Sequence, residues 1–402
     1  MNGRAVSGRH YGMDWLRIGA FGLLILYHIG MFFVPWDWHV KARATPDWVT
    51  LPMHFTNAWR LQLLFLVSGY ASAAILAKDG RLGHFVCDRS ARLLVPLVFG
   101  AAVIVPPQPW IELATQHGYA QGFVHFWLHD YFRFGTLDGI VLPTWQHLWF
   151  VVYLWLYTLL LAAILALPDR WLQAAGKALA RMLSTPTGLV LLPLAWLIAK
   201  GALIWPGVGE RHDVVSDLPS HTVYFLMLAI GFMLRRHQDI WPAVRLVWKG
   251  AALVGLFGYA GIVAGDLAWP GSTPVPPAWM PWFGAARAVQ TWGTILALLG
   301  IADRFLNRDG AWRATLNEAV FPFYIVHQTL IVVIAWQCRA AGIGNLAAFA
   351  ILVAGTATGC WLFYRFGREV LGLRILIGLK GWRTPHVDAR HRNRVAPTPS
   401  LD

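Results

Sequence analysis

MDWLRIGAFGLLILYHIG, residues 13–30, is an apolar run long enough to enter a bilayer as a helix, yet it opens with Asp14 and Arg17 and carries His28 deep in its length. Arg17 and His28 stand eleven residues apart. At about 100° per residue that spacing returns to within roughly 20° of the same face, about 16 Å further along the axis. One stripe of this helix therefore holds a cation near one membrane surface and an ionisable imidazole near the middle. Ionisable groups are expensive at that depth, so each one there marks a candidate functional position.

The rest of the chain fits a helix of this kind. Of 402 residues, 57% are hydrophobic and 13% charged, far less polar surface than a soluble protein of this length needs. The 23 Trp, 22 Phe and 11 Tyr suit aromatic belts at the headgroup level. Apolar runs place ten spans near 14–34, 55–77, 92–107, 146–167, 187–204, 219–234, 247–265, 284–302, 318–336 and 345–366. The prediction is an all-α integral membrane protein, a bundle of about ten transmembrane helices over residues 1–366 with a basic tail at 367–402.

A net charge of +13 would suggest nucleic acid in a soluble protein, but the distribution of charge argues against that partner. Only Lys41, Arg43, Arg133, Arg211 and Arg339 fall on the loops opposite the N-terminus, and Arg60, Lys200 and Arg287 fall inside spans. The remaining Lys and Arg share one side, which the positive-inside rule assigns to the cytoplasm together with both termini. Cys87, Cys338 and Cys360 form no CxxC or Cys/His spacing, so neither a disulfide framework nor a metal site is expected. The first span lacks a small-residue cleavage site and is read as retained.

Taken in order, the outward loop 34–49, VPWDWHVKARATPDWV, mixes tryptophan with Asp37, His39 and Asp47. Interfacial anchoring is the simpler account of its indoles, and a platform for sugar rings the sharper one. The second span carries Asn57, Arg60 and Gln62 in its outer third, at a depth comparable to His28, which points to a wet cavity. Ser68 and Gly69 suit close helix packing. The inner loop 78–92 ends in Arg89 and Arg92, three residues apart on one face, a spacing that suits a phosphate clamp as well as ordinary cytoplasmic charge. The outer segment 106–145 is long and resembles no span, and His147 follows it at an interface, where a histidine is ordinarily solvated. The acidic cluster Glu210, Asp213 and Asp217 reads most economically as solvated, and Arg287 and Gln290 form a polar pair in the outer third of the eighth span. His327 lies near mid-bilayer in the ninth span beside Gln328, so two histidines share one depth on different helices.

The residues assembled here resemble acyltransferase family 3, a family of integral membrane proteins. Arg17, ten intervening residues and His28 match its Arg-x10-His pattern, and Arg89-Ser90-Ala91-Arg92 matches its Arg-x-x-Arg segment. FLVSGY (65–70), HLWF (147–150) and FYIVHQ (323–328) are similar to its recurrent segments, and the nearest subgroup in appearance is the type that modifies periplasmic glucans. The likeness is weak between 168 and 300.

That resemblance implies a bacterial inner-membrane enzyme with no bound cofactor. It uses acyl-CoA from the cytoplasm as co-substrate and a carbohydrate hydroxyl outside as acceptor. His28 is then the candidate general base, Arg17, Arg89 and Arg92 the candidate donor-binding residues, and Asn57, Arg60, Gln62, His147 and His327 acceptor-side or supporting residues. Direct attack by the activated hydroxyl and a route through acyl-histidine both remain open. No carboxylate lies within a turn of His28 on its own helix, so an orienting partner must come from another element. A transporter or flippase would also want ionisable groups at mid-membrane, but it would need no paired arginines at the inner mouth.

Overall fold

α1 spans Tyr11–Gly30 and sits inside the bundle, flanked by α3 (Arg60–Asp79), α12 (Met280–Phe305) and α13 (Arg313–Ala340). The structure, a computed structural model, describes residues 9–167, 169–270 and 273–380. Between α1 and α3 lies α2 (Thr50–Asn57). α4 (Leu82–Phe99) continues through a π-helical stretch to Ile104 and, after a short turn, into α5 (Pro107–Gln116). The one-turn α6 (Phe123–His125) and a two-stranded hairpin, β1 (Gly135–Leu137) with β2 (Ile140–Leu142), lead to α7 (Trp149–Leu165). The amphipathic α8 (Asp169–Leu183), then α9 (Pro186–Ile198), α10 (Leu218–Arg236) and α11 (Trp241–Ala268) precede α12, and α14 (Asn345–Glu369) and α15 (Leu371–Leu376) follow α13.

Among the described residues nine helical stretches are long and apolar enough to cross a membrane, and α1 is not one of them. Asp14, Arg17 and His28 dilute its hydropathy. It is nevertheless a span by position, lying parallel to α13 and in register with it. Arg313 Nη1 donates to the Asp14 carboxylate at 2.7 Å, and fourteen residues further along both helices His28 meets His327 at 2.8 Å. At 1.5 Å per residue those two contacts are about 21 Å apart along the axis. α13 runs on beyond His327 to Ala340, whereas α1 stops at Gly30, so α1 is a short span whose end lies at half depth. Residues 31–46 then fold back into the bundle without regular structure. Phe32, Phe33, Val34, His39 and Val40 are buried there. Lys41 Nζ secures this segment by donating to the carbonyls of Met31 and Val34 just past the end of α1, at 2.9 and 2.7 Å.

The second span differs from an unbroken helix over 55–77. It is interrupted at Ala58 and Trp59, and α3 begins afresh at Arg60. α12 satisfies the carbonyls freed by the break. Gln290 Nε2 donates to His54 and Phe55, and Thr291 Oγ1 donates to Ala58. The polar residues in the outer third of the eighth span thus serve a break in the second. Further in, α3 and α10 touch backbone to backbone: a methyl on Gly69 or Gly231 would lie 1.9 or 1.8 Å from the Leu228 or Leu66 carbonyl oxygen. This is the small-residue contact that lets helices approach without a hydrophobic gradient to drive them.

Two further expectations need correction. The third span is not confined to 92–107. Its helical stretch runs from Leu82 to Gln116, which puts Arg89 and Arg92 on α4 and not on a loop. The outer segment 106–145 is not a plain loop either, since it contains α5, α6 and the hairpin. Pro107 takes the first helical position, where a missing N–H costs no hydrogen bond, so α5 starts there. The tail expected at 367–402 is described only as far as Lys380. α15 packs on α4 and α14, with Ile377 buried against Gly367, and 381–402 lie outside the described residues.

Candidate active site

His28 and His327 face each other in parallel planes, with Nδ1 of His28 2.8 Å from Nε2 of His327. The proton on each nitrogen follows from the partners. His327 Nδ1 lies 2.7 Å from the Tyr324 carbonyl oxygen, one turn back on its own helix, and a carbonyl can only accept. His327 Nδ1 therefore carries hydrogen, and its neutral ring presents Nε2 as an acceptor. His28 Nδ1 must then donate, which leaves His28 Nε2 with a free lone pair. His327 is wholly buried, whereas His28 is part-exposed and forms part of a cavity wall. One imidazole orients the other from behind.

That cavity is about 590 Å³, within the roughly 300–1,000 Å³ typical of small-molecule sites. It opens where α1 ends early, and His28, Asn57, Arg60 and His147 all line it. Arg60 is buried at the first position of α3, where the helix dipole adds to its charge. Its Nη1 donates to Asn57 Oδ1 at 3.0 Å, its guanidinium lies 3.3 Å from the centre of the Tyr27 ring, and its Nε has no hydrogen-bond partner. Among the described residues no carboxylate pairs directly with this cation. It stands beside the imidazole as a ready stabiliser of negative charge.

His147 differs from the solvated residue expected at an interface. It is buried, and Nε2 donates to the carbonyls of both Tyr324 and Ile325 at 3.2 and 3.1 Å. Its Nδ1 faces Gln108 Nε2 at 3.4 Å, and the Tyr324 hydroxyl donates to the His147 carbonyl. Both nitrogens are occupied, so His147 holds in place the turn of α13 that carries His327. Gln62 does not reach this cavity. It lines a second one of about 580 Å³ that shares Asn57 and Glu210 with the first.

Several residues on or behind these walls have partners that sequence reading did not indicate. His39 Nδ1 donates to the Glu112 carboxylate, and Gln328 Nε2 donates to His39 Nε2 at 3.2 Å and to Gln108 Oε1 at 3.0 Å. Glu112 and Gln108 sit in the segment that reads as a loop, and His39 in a loop whose inward fold has no periodicity. Glu210 is not merely solvated. Burial pushes its carboxyl up, but the His212 hydrogen bond and the Arg287 guanidinium outweigh burial and hold it at about 2. Asp217 is buried and accepts from the Tyr153 hydroxyl at 2.8 Å, so it fixes the 205–217 loop. Among the described residues no set of three His, Cys, Asp or Glu side chains is arranged to hold a metal ion.

Arg17, Arg89 and Arg92 lie toward the opposite end of the bundle and do not line either cavity. Arg89 is half-buried, donates to Ser72 Oγ at 3.3 Å, and feels the charges of both Arg17 and Arg92. Arg92 is taken by Asp88 at 3.1 Å, and Arg17 has no hydrogen-bond partner among the described residues. On α1 the ring of Phe21 lies between Arg17 and His28, packed edge to face on Phe150 and Tyr324.

Comparison with known proteins bears on what this arrangement does. A sequence profile described as an acyltransferase domain matches residues 10–365. The glucans biosynthesis protein C of Escherichia coli strain K12 is 28% identical over 340 residues, covering 80% of this chain and 82% of the relative. The protein of that name from Salmonella typhi is 23% identical over 334 residues, with the same coverage. No solved structure matches the chain. The profile takes in α1 with its histidine, every other span and the partner histidine on α13, and on that evidence this multi-pass membrane protein is an acyltransferase and belongs to acyltransferase family 3.

Proposed function

We propose that the protein moves a short acyl group, such as acetyl or succinyl, from cytoplasmic acyl-CoA to a hydroxyl of an extracytoplasmic carbohydrate. A glucan is the class of acceptor its relatives' names suggest, and we propose a periplasmic one, with the bacterial inner membrane as the matching location. The observation that carries this reading is the His28–His327 pair, because it leaves an oriented, unprotonated nitrogen on the wall of a ligand-sized cavity.

In the proposed reaction an acceptor hydroxyl entering the cavity gives its proton to His28 Nε2, and its oxygen attacks the thioester carbonyl carbon. Negative charge develops on the carbonyl oxygen, where the Arg60 guanidinium can receive it. Collapse breaks the carbon–sulfur bond, the ester leaves on the acceptor, and His28 returns the proton to the departing thiolate. Through the middle of this sequence His28 is an imidazolium, and its Nδ1–H bond to His327 is then charge-assisted. Arg17, Arg89 and Arg92 are the proposed hold for the donor's phosphates, with the thioester arm passing Phe21 to reach His28. The same free nitrogen would be the nucleophile of a two-step route, which an acyl-histidine trapped by mass spectrometry would reveal.

The test is thiol release coupled to ester formation on a gluco-oligosaccharide by the full chain purified in detergent. His28→Ala should abolish both while the protein elutes and melts as the parent does. Normal transfer by a well-folded His28→Ala protein would overturn the assignment.

A further inference from the structure

Beyond the cavity that holds His28 lies the second one, of about 580 Å³, walled by the ends of α2, α9, α11 and α12 and by the 205–217 loop. Its wall is of two kinds. Trp36, Trp205, Trp269 and Phe283 offer flat apolar faces. Between them stand polar groups that cancel in charge: Arg287 reaches Glu210 at 3.7 Å, while Lys200 and the Asp266 carboxylate, which lies 3.1 Å from His54 Nε2, add one charge of each sign. Gln62 and Ser220, buried on the same wall, add further polar groups. An anionic headgroup would need an excess of cations, and an acyl chain would need an apolar wall. Balanced carboxylates and bases beside aromatic faces suit a neutral polyol, whose C–H face stacks while its rim hydrogen-bonds.

Asn57 and Glu210 line both cavities, so the two adjoin at these side chains. We propose that the second cavity is a subsite for a neutral pyranose unit of the acceptor, next along the chain from the unit whose hydroxyl meets His28. The inference rests on the acyl-transfer reading and extends it. The acceptor is an oligosaccharide of at least two units, recognised by its neighbouring sugar as well as by the acylated one.

The experiment measures binding without any thioester, so that it is independent of turnover. Linear gluco-oligosaccharides of one to four units are titrated by calorimetry into the detergent-purified full chain. Affinity should rise about tenfold or more between the single sugar and the longer members, the equivalent of one added hydrogen bond to a charged group. Trp269→Ala and Asp266→Asn should each flatten that rise. Thr273→Trp, which fills the cavity without deleting a contact, should do the same and covers the case in which Trp269→Ala fails to fold. Trp48→Ala, on an exposed indole that lines neither cavity, should leave the rise intact. Affinity that does not depend on length, a rise that survives both Trp269→Ala and Thr273→Trp, or displacement of the sugar by phosphatidylglycerol would overturn the proposal. Length-dependent binding without acyl transfer would instead count against the reaction and leave the subsite standing.

Discussion

Replacing His327 isolates the contribution of the pair, because this ring lines neither cavity and is wholly buried behind His28. His327→Leu removes the acceptor of the His28 Nδ1–H bond. The Tyr324 carbonyl loses one donor but keeps His147 Nε2 at 3.2 Å, so the helix is left with no orphaned group there and the folding cost is about 1–3 kcal/mol. The catalytic cost falls where His28 is an imidazolium. A hydrogen bond to a charged group is worth about 1.5–3 kcal/mol, which converts to a loss of about 10- to 150-fold in kcat. Donor and acceptor KM should stay within about twofold, since the substrate does not touch this ring. Gln at the same position can accept from His28 through Oε1 and donate to Tyr324 through Nε2, so His327→Gln should recover most of the loss. Steady-state thiol release with both substrates varied, alongside thermal unfolding, reads all of this. A folded His327→Leu protein with kcat within twofold of the parent would refute the pairing argument. So would a His327→Gln protein no better than His327→Leu.

Arg60→Met should lower kcat by about 10²- to 10³-fold in the same assay, the usual cost of removing one oxyanion donor, and Arg60→Lys should recover little because its ammonium cannot reproduce the fork held by Asn57 and Tyr27. Arg89→Ala should raise the donor KM more than Arg92→Ala, since Arg92 is already taken by Asp88 and the Arg89 guanidinium has only a hydroxyl partner; equal effects, or an unchanged donor KM in the double variant, would count against a phosphate site. Glu210 is held at about 2 in the folded chain against about 4.5 when unfolded, so the stability it contributes is complete above the unfolded value and lost as pH falls through the folded one. The difference in melting temperature between the parent and Glu210→Gln should therefore be level from pH 7 to 5 and shrink below about pH 4.5. A gap that narrows already between pH 7 and 6 would show that another group is responsible.

The broad architecture was legible because its signals are local. A bilayer permits few kinds of backbone, so runs of apolar residues announce spans. The cost of an ionisable group in hydrocarbon singles out Arg17, His28, Arg60 and His327 one at a time. Helix extensions beyond the bilayer, as in Leu82–Gln116, escape that logic because no solvent boundary forces their composition. His147 reads as interfacial for the same reason. Its neighbours in sequence say nothing about the α13 carbonyls that it caps.

Sequence by itself therefore determined that this chain is a helical membrane bundle with costly polar groups at mid-depth, and the Arg-x10-His spacing pointed to the family. Only the tertiary structure decided what those groups do to one another. α1 lies in register with α13, so the orienting partner of His28 that had to come from another element is a second imidazole, whose own bond to a carbonyl fixes which nitrogen is free. α1 also ends early and the second span breaks at Trp59, and together these open the cavity that Arg60 lines. The physical reason is that desolvation acts on each residue separately and leaves its mark along the chain, whereas a hydrogen bond between residues 299 positions apart depends on how two helices happen to lie side by side.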